Sequence, residues 1–423
     1  MAIKITTINK KFQVLTYPNL NSKSATLGFW IDGGASKETN ENNGIAHVLE
    51  HMMFKGTEKY NTKELSNKLE QLGAQTNAYT SFESVAYYLS VAPTNLIVKG
   101  KNNLMEALEL IFELLLNSTF PPEELEKEKD VIIQELKMYQ DDLEHNCYTG
   151  LYNISYKMGS YLYRDIIGTE PLIKSFTSQQ LKDFMRDNYN KIYFVITGNF
   201  DENMVLDYCK SMGDIILNTF KVNNEKVEES LYIDEFKEIS VVKNWANQAQ
   251  VTMGWKVSNN IEDKKIVSVI SCIFGSGMSS ILFQKVRDDL GLVYSIYSSP
   301  NFYRNDHSIS VHFKTFNDKV EEVISVVNRE IMNLMENITD EAIEKAKNYI
   351  ISSRIKRTES NQSSCFFLGE KLLELDYKDL SMDNISIDEY VYDCQNVTKE
   401  DIKNYWSKYL NRPADKISRL LTS

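Results

Sequence analysis

Apolar residues recur along the chain with two periods, which predict strands in some stretches and helices in others. Over residues 25–31 every second residue is apolar, with Leu27, Phe29 and Ile31 on one face, and this predicts a β-strand that ends at a pair of glycines. Residues 77–91 are rich in tyrosine and β-branched residues, a composition typical of strands. We therefore expect the early part of the chain to contribute strands to a sheet.

Helical spacing of apolar residues predicts three helices in the same region. One begins after Asn61, a favourable helix cap, has leucines on one face and ends at Gly73. A second spans residues 104–115, and a third follows the proline pair at 121–122. Strands and helices in this arrangement are typical of an α+β domain.

The second half of the chain repeats parts of the first half, which indicates an internal duplication. Residues 122–135 align without a gap with residues 340–353, at an offset of 218. Residues 177–184 resemble residues 398–405 at an offset of 221. Two matches at nearly the same long spacing indicate two copies of one domain. We predict an α+β protein of two homologous domains, each a β-sheet packed with helices.

The length of the chain agrees with two domains, because 423 residues exceed what one compact core usually holds. We place the N-terminal domain at residues 1–220, a linker at 221–235 and the C-terminal domain at 236–423. The apolar and charged fractions, 42% and 25%, are those of ordinary soluble globular proteins. The sequence contains neither an 18-residue apolar run nor the apolar core of a signal peptide, so we expect no membrane span.

Net charge and cysteine content narrow the function and the compartment. A net charge of −12 argues against a nucleic-acid partner, whose phosphates require a basic surface. The five cysteines are an odd number at wide spacings, so they indicate neither a disulfide framework nor a C-x-x-C site. They fit a reducing compartment, and we therefore expect a cytoplasmic enzyme.

The sequence HVLEH at 47–51 contains the residues with the clearest chemical meaning. His47, Glu50 and His51 are spaced i, i+3 and i+4, so they share one face of a helix. Two imidazole nitrogens can bind zinc, and the carboxylate beside them can accept a proton from metal-bound water. This order is the inverted zincin pattern H-x-x-E-H. The pattern also occurs by chance in helices, and a catalytic zinc needs a third protein ligand, which must lie downstream.

Two glutamates of the helix after the proline pair are candidates for that ligand. Glu128 and Glu135 are seven positions apart, two helical turns, and so project from one face. A solvated face on a charged helix is the alternative, but the apolar neighbours of Glu135 do not suit it. In the second copy of the domain, the positions that match these two glutamates carry no residue that commonly binds a metal. The positions that match the histidines and the glutamate of the HVLEH motif carry only one such residue, a cysteine. The corresponding residues there are Ser268, Ser271, Cys272, Ala346 and Ser353.

Four stretches of the chain together resemble one known family. They are HVLEHMMFKGT at 47–57, NAYTSFES at 77–84, EKDVIIQE at 128–135 and GMSSILFQKVRDDLGLVYSIYSS at 277–299. The chain resembles the two-domain bacterial members of the inverted zincins that include pitrilysin, insulin-degrading enzyme and mitochondrial processing peptidase. The resemblance implies a zinc-dependent metalloendopeptidase in which His47, His51 and Glu135 bind Zn²⁺ and Glu50 is the base. Glu128 matches a further glutamate of the family, which lies just outside the metal ligands.

The same resemblance implies residues that contact the substrate. Arg287 and Tyr294 match a pair in the second half of family members that contacts the scissile region. From the sequence alone, a surface ion pair and a core aromatic residue would be expected at these two positions. Asn77, Ala78 and Tyr79 match the strand along which family substrates add as an edge strand, through main-chain hydrogen bonds. Such binding depends on the peptide backbone, so we expect broad sequence specificity.

One departure from the family pattern bears on the third ligand. His51 and Glu135 are 84 positions apart, several more than in typical family members. If the alignment were shifted, Glu128 would be the competing ligand. We prefer Glu135, because VIIQE places it as the family pattern does, and we expect the extra residues in the turn-like stretch 98–103.

The resemblance also implies an assembly. Family members enclose short or unfolded peptides in a clamshell of paired domains, and this chain has the size of half a clamshell, which implies a dimer. Because the chain carries the zinc residues and also Arg287 and Tyr294, we expect a homodimer. A heterodimer with a metal-free paralogue is the alternative assembly. Leader or precursor peptides are candidate substrates. The alternative function is a non-catalytic subunit or peptide-binding partner of a heterodimeric processing peptidase, which would lack the metal residues.

Overall fold

The computed structural model of the protein describes residues 2–92, 97–98, 100–221, 231–243, 248–377 and 385–422. The chain forms two compact units, each built from three segments. The first comprises Met1–Leu136, Arg164–Glu228 and Lys356–Ile387, and the second comprises Lys137–Tyr163, Glu229–Ile355 and Asp388–Ser423. Each unit contains one main β-sheet with helices packed on it, which confirms the predicted α+β class with two domains.

The described residues contain the following strands and helices. The strands are β1 (Lys4–Thr7), β2 (Phe12–Pro18), β3 (Ala25–Asp32), β4 (Gln75–Thr80), β5 (Ser84–Val91), β6 (Ile97–Val98), β7 (Lys101–Asn102), β8 (Ile192–Gly198), β9 (Lys237–Lys243), β10 (Ala249–Val257), β11 (Ser295–Phe302), β12 (His307–Thr315) and β13 (Lys416–Thr422). The helices are α1 (Ile45–Met52), α2 (Thr62–Gln71), α3 (Asn103–Asn117), α4 (Pro122–Asp141), α5 (Leu143–Ser155), α6 (Glu170–Ser175), α7 (Ser178–Asn188), α8 (Glu202–Thr219), α9 (Lys264–Gly275), α10 (Val320–Met332), α11 (Leu334–Asn337), α12 (Asp340–Thr358), α13 (Asn361–Tyr377), α14 (Ile387–Tyr392) and α15 (Lys399–Tyr409).

Segments that align in the sequence adopt the same elements in the two halves. The stretch after the proline pair is α4, and its counterpart is α12. The second matching pair forms α7 and α15, and each of these helices begins with a threonine capping box. Thr177 accepts a hydrogen bond from the backbone of Gln180, as Thr398 does from that of Asp401. The predicted duplication is thereby confirmed.

The first unit is built on a six-stranded sheet in the order β1-β2-β8-β3-β5-β4. Strands β2 and β8 run parallel, and the other neighbours run antiparallel. The strand predicted at 25–31 is β3, but all eight of its residues are buried rather than every second one. The ring of Phe29 packs on Phe112 of α3 at one face, and Trp30 packs on Phe366 of α13 at the other. A helix from the far end of the chain therefore buries the second face.

The second unit is built on a five-stranded sheet in the order β11-β12-β10-β13-β9, in which β13 and β9 run parallel. Helices α9 and α10 contribute to the apolar core of this unit. Helix α5 packs on β10 and β13, and Sγ of Cys147 donates a 3.1 Å hydrogen bond to the backbone oxygen of Gln250. Here a helix from the first half of the sequence covers the sheet of the second unit.

This exchange of helices means that the compact units differ from the division expected at 1–220, 221–235 and 236–423. Helix α13 belongs to the first unit and α5 to the second. Residues 222–230 of the expected linker lie outside the described residues. In the stretch 98–103, for which extra residues were expected, the short strands β6 and β7 pair with each other, while residue 99 lies outside the described residues.

The remaining global features concern cysteines and membrane helices. All five cysteines are buried and free. Within the described parts of the chain, no helix combines the length and the apolar character needed to cross a lipid bilayer.

Candidate metal centre

Helix α1 displays the HVLEH motif because its apolar and polar residues fall on different faces. The buried apolar residues of the helix are Ile45, Ala46, Val48, Leu49 and Met52. His47, Glu50 and His51 remain partly accessible on the other face. The helix begins after Gly44, whose φ of 96° is a conformation that residues with a side chain rarely adopt. The turn before the helix therefore requires glycine.

Glu135 of α4 brings a carboxylate to both histidines. Its Oε2 atom lies 3.8 Å from Nε2 of His47 and 3.3 Å from Nε2 of His51. The two imidazole rings are 4.7 Å apart between centroids, and one ligand atom from each of the three residues lies within 4.8 Å of the others. Donor atoms about 2.1 Å from a tetrahedral zinc ion are about 3.4 Å apart, so this set fits a zinc ion. Among the residues that the structure describes, no second group of three histidine, cysteine or carboxylate side chains meets in this way.

Glu128, the competing candidate, reaches the other nitrogen of His51. Its Oε1 lies 2.9 Å from Nδ1 of His51, and its Oε2 lies 2.6 Å from Nζ of Lys55. Burial alone would raise the pKa of Glu128, but its hydrogen bonds to His51 and Lys55 outweigh burial and lower the pKa. A carboxylate at Nδ1 leaves Nε2 as the free ligand atom of the ring. The structure thus places Glu135, not Glu128, beside both Nε2 atoms.

The two histidines differ in the charges around them. Burial, followed by the influence of His51, lowers the pKa of His47 to about 4, so its imidazole is neutral at pH 7. Burial would also lower the pKa of His51, but hydrogen bonds to Glu128 and Glu135 raise it to about 9. The surroundings of His51 therefore favour a positive charge, which a proton or a metal ion can supply. Nδ1 of His47 is buried, with no hydrogen-bond partner among the described residues.

Glu50 lies on the same helix as the histidines and is held by the end of β4. Oγ1 of Thr80 donates a 2.7 Å hydrogen bond to Oε2 of Glu50. Burial raises the pKa of Glu50, and the hydrogen bond from Thr80 offsets this only in part. A carboxylate with a raised pKa is suited to accept a proton and release it again. Thr80 was not among the residues predicted from the sequence, although it directly follows Tyr79 in the predicted substrate strand.

Lys55 is a second residue of the centre that was not predicted from the sequence. It stands four positions after His51, a spacing that places two side chains close together when a helical turn continues. In the structure both residues contact the carboxylate of Glu128. The spacing of Lys55 from His51 was therefore visible in the sequence. It indicates a role for Lys55 only once Glu128 is known to lie beside His51.

The predicted substrate strand is an edge of the first sheet. Asn77, Ala78 and Tyr79 lie in β4, which pairs with β5 on one side and has no neighbouring strand on the other among the described residues. The ring of Tyr79 lies 5.1 Å from that of Phe366 in α13. The edge can therefore accept an added strand, and it leads directly to Thr80, which holds the catalytic-base candidate.

Arg287 and Tyr294 lie in the second unit and are exposed. Arg287 is part of a π-helical turn, Phe283–Asp289, and its guanidinium lies 4.5 Å from the ring centre of Phe283. Tyr294 is 72% exposed, so it is not the core aromatic residue that the sequence alone would suggest. Its backbone nitrogen donates to the backbone oxygen of Lys314 at 2.9 Å. Both side chains are thus available for contact with another molecule.

Two family models match the chain in succession. Residues 13–169 match the model described as Insulinase (Peptidase family M16), and residues 175–350 match the one described as Peptidase M16 inactive domain. The first range contains the HVLEH motif, Glu128 and Glu135, and most of the second range lies in the half that lacks them.

Two bacterial proteins and one solved structure are similar to this chain over most of its length. The uncharacterized zinc protease YmxG of Bacillus subtilis is 29% identical over 378 residues, which are 88% of each chain. An uncharacterized zinc protease of Rickettsia bellii is 30% identical over 344 residues, 80% of each chain. The crystal structure of a peptidase M16 inactive domain from Pseudomonas fluorescens has a TM-score of 0.87 at 17% identity, covering 100% of this chain and 99% of that one. This last likeness shows the fold.

Proposed function

We propose that this chain, which belongs to the M16 insulinase family of peptidases, is a zinc-dependent metalloendopeptidase. The observation that carries the proposal is the approach of Nε2 of His47, Nε2 of His51 and Oε2 of Glu135 to one another. Two histidines and one carboxylate are a common ligand set of catalytic zinc. The names of the two bacterial relatives support the same metal and the same class of activity.

In this proposal Glu50 is the base that activates water. His47, His51 and Glu135 would hold the zinc, and the metal would supply a water acidified to a pKa of about 7, and so a nucleophile near neutral pH. Glu50 takes up the proton of the attacking water and later passes it to the leaving amine. Its Oε2 accepts the hydrogen bond from Thr80, which fixes the side chain and leaves Oε1 to carry the proton.

The proposed substrates are short or unfolded peptides that bind as an added strand along β4. The backbone of Asn77, Ala78 and Tyr79 would pair with the peptide, so side chains of the substrate contribute little to its selection. Arg287 and Tyr294 are proposed to contact the scissile region, where a positive charge and a hydroxyl donor can stabilise a developing oxyanion. Both are exposed, as this role requires.

We further propose that the protein acts as a cytoplasmic homodimer with an enclosed peptide chamber. The homodimer is favoured because one chain holds the zinc residues as well as Arg287 and Tyr294. Five buried free cysteines agree with a reducing compartment. Processing of leader or precursor peptides and general peptide breakdown are both activities of which such a chamber is capable.

A non-catalytic, peptide-binding subunit is the second candidate function. The match of residues 175–350 to an inactive domain favours it for that half of the chain. The first half, however, keeps both histidines, Glu50 and Glu135 in one place, which a purely binding subunit does not need. Catalysis therefore explains more of the observations.

The substitution Glu50→Gln separates the two functions. The wild-type chain is expected to bind about one zinc and to cleave internally quenched peptides, while E50Q keeps the zinc and loses activity by about 10²–10⁴-fold, because it has no base. Metal content by mass spectrometry and cleavage rate are measured on the same samples. Glu70→Gln, a change at an exposed glutamate of α2, is the matched control. A wild-type chain without zinc, or an E50Q chain as active as E70Q, would contradict the proposal.

A further inference from the structure

Glu38 occupies a position in the first unit that the catalytic proposal does not use. It follows the 3₁₀-helical turn Gly34–Lys37 and is only 6% exposed. Its Oε1 accepts a 2.9 Å hydrogen bond from the backbone nitrogen of Ala46. Its Oε2 accepts hydrogen bonds from the backbone nitrogen of Gly44 at 3.0 Å and from Nδ2 of Asn43 at 2.9 Å. The carboxylate is thus bonded to the first turn of α1, the helix that carries the HVLEH motif.

This bonding compensates for a cap that α1 lacks. The first backbone N–H groups of a helix have no partner within the helix, and a side chain of the capping residue usually accepts one of them. In α1 the capping residue is Gly44, which has no side chain. Glu38 supplies the missing acceptor from the preceding loop, and its negative charge is favourable at a helix N-terminus. An eight-residue helix is marginal by itself, so such fixing determines where it lies.

The loop that carries Glu38 is itself fastened to a second segment. Arg164 donates a 2.7 Å hydrogen bond to the backbone oxygen of Glu38, and Nδ2 of Asn43 also donates to the backbone oxygen of Asp165 at 2.8 Å. Gly44 and Gly168 approach so closely that a Cβ added to Gly44 would lie 2.9 Å from Cα of Gly168. The start of α1 is therefore held from two sides.

Burial of this carboxyl group is unfavourable in itself. It raises the pKa of Glu38 to about 7, although the hydrogen bonds from Asn43, Ala46 and Gly44 and the charge of Arg164 all lower it. A buried polar group is almost always hydrogen-bonded, because leaving it unpaired costs free energy. Here those bonds all lead to the first turn of α1 or to the two residues before it, Asn43 and Gly44.

We propose that Glu38 is a positioning residue that fixes the start of α1 and thereby aims His47, Glu50 and His51 at Glu135. The inference rests on the proposed zinc peptidase function. His47 follows Ala46 directly, so a shift of the first turn moves its Nε2 relative to Oε2 of Glu135. Metal ligands tolerate displacements of only a few tenths of an ångström, so such a shift weakens binding.

The substitution Glu38→Gln tests the proposal. An amide offers one acceptor where the carboxylate offers two, and its NH₂ group faces a backbone N–H. E38Q is expected to raise the Kd for Zn²⁺ about 10–100-fold, measured by chelator competition. It should also lower kcat, with a smaller change in KM. Asp201→Ala is the matched control, because it removes the acceptor that caps α8 at Met204 in the same unit, on a helix without ligand candidates. D201A should lower Tm but leave the zinc Kd and kcat at wild-type values.

The outcomes distinguish this inference from the function on which it rests. A wild-type chain that binds no zinc and cleaves no peptide contradicts the proposed function. A wild-type chain that does both, together with an E38Q chain whose zinc Kd and kcat match those of D201A, overturns the positioning role alone. Should E38Q fail to fold, Asn43→Ala removes one donor to the carboxylate and its tie to Asp165. A folded N43A chain with a wild-type zinc Kd would overturn the role equally.

Discussion

At the scale of single residues, His51 is held through both of its ring nitrogens. Nε2 faces Glu135 at 3.3 Å, and Nδ1 lies 2.9 Å from Glu128, whose other oxygen binds Lys55. The contact at Nδ1 orients the ring and fixes which nitrogen is available to a metal. We therefore expect Glu128 to affect metal binding, although it is not placed as a ligand.

The substitution Glu128→Gln is expected to weaken zinc binding while the ligands remain. The amide keeps the size of the side chain but loses the charge that pairs with His51 and Lys55, so the Kd for Zn²⁺ should rise about 10–100-fold. Chelator competition measures the Kd directly. Glu126→Gln on the same helix removes an exposed carboxylate that pairs with Lys129, and it should leave the Kd unchanged. Equal zinc affinity of E128Q and E126Q would show that the contact at Nδ1 has no influence on the metal.

The sequence predicted some of these residues and left others open for a physical reason. The spacing of His47, Glu50 and His51 places them on one helical face, and the structure has them there. Spacing could not separate Glu128 from Glu135, because residues two turns apart share a face and only the packing of α4 on α1 decides which turn meets which nitrogen. Thr80 and Glu38 reach α1 through space from other segments, so no local pattern reveals them.

At the scale of elements, the covering of the first sheet by α13 decides how its central strand is buried. Gly369 of α13 faces the indole of Trp30, and a Cβ at this position would lie 2.1 Å from Cδ2 of that ring. Trp30 is completely buried in β3. The helix can approach the sheet this closely only because residue 369 has no side chain.

The substitution Gly369→Ala is therefore expected to destabilise the first unit. Alanine stabilises a helix by about 1 kcal/mol relative to glycine. Overpacking against a fixed ring costs about 1–3 kcal/mol, and a contact of 2.1 Å places the cost at the upper end of that range. We expect a net loss of about 1–2 kcal/mol in the free energy of unfolding, measured by urea denaturation with tryptophan fluorescence. Gln362→Ala, at an exposed position of the same helix, should change the stability by less than about 0.5 kcal/mol. A G369A chain as stable as Q362A would mean that α13 does not press on Trp30.

The strands and helices also show which features a local sequence pattern does not predict. Alternation over 25–31 predicted β3, and the structure confirms the strand, but the pattern suggested one buried face where there are two. The second face is closed by α13, more than 300 positions later in the sequence. For the same reason the sequence predicted two domains but could not show that each sheet takes a helix from the other half of the chain.

At the scale of the whole molecule, the two copies of the domain carry different chemistry. The first contains the residues that meet at the candidate metal centre, and the second presents exposed Arg287 and Tyr294. In the proposed homodimer, this pair from one chain would complete the zinc site of the other chain. In such a dimer, one chain can carry a substitution in its zinc residues and the other chain a substitution at Arg287, and one of the two sites is still complete. The first chain supplies the intact Arg287 and the second chain supplies the intact zinc residues.

Heterodimers of E50Q and Arg287→Ala chains test this arrangement. Each variant alone should be inactive or nearly so. When they are co-expressed with two affinity tags and purified through both, one site of each heterodimer combines intact zinc residues with an intact Arg287, so about half of wild-type activity should return. The matched control pairs E50Q with His47→Ala, which leaves no intact site in any dimer. If Arg287 acts within its own chain, the first heterodimer stays as inactive as the control, and if the chain is a monomer, nothing passes both affinity columns. Rescue by R287A without rescue by H47A is expected only when the two units of one chain serve different active sites.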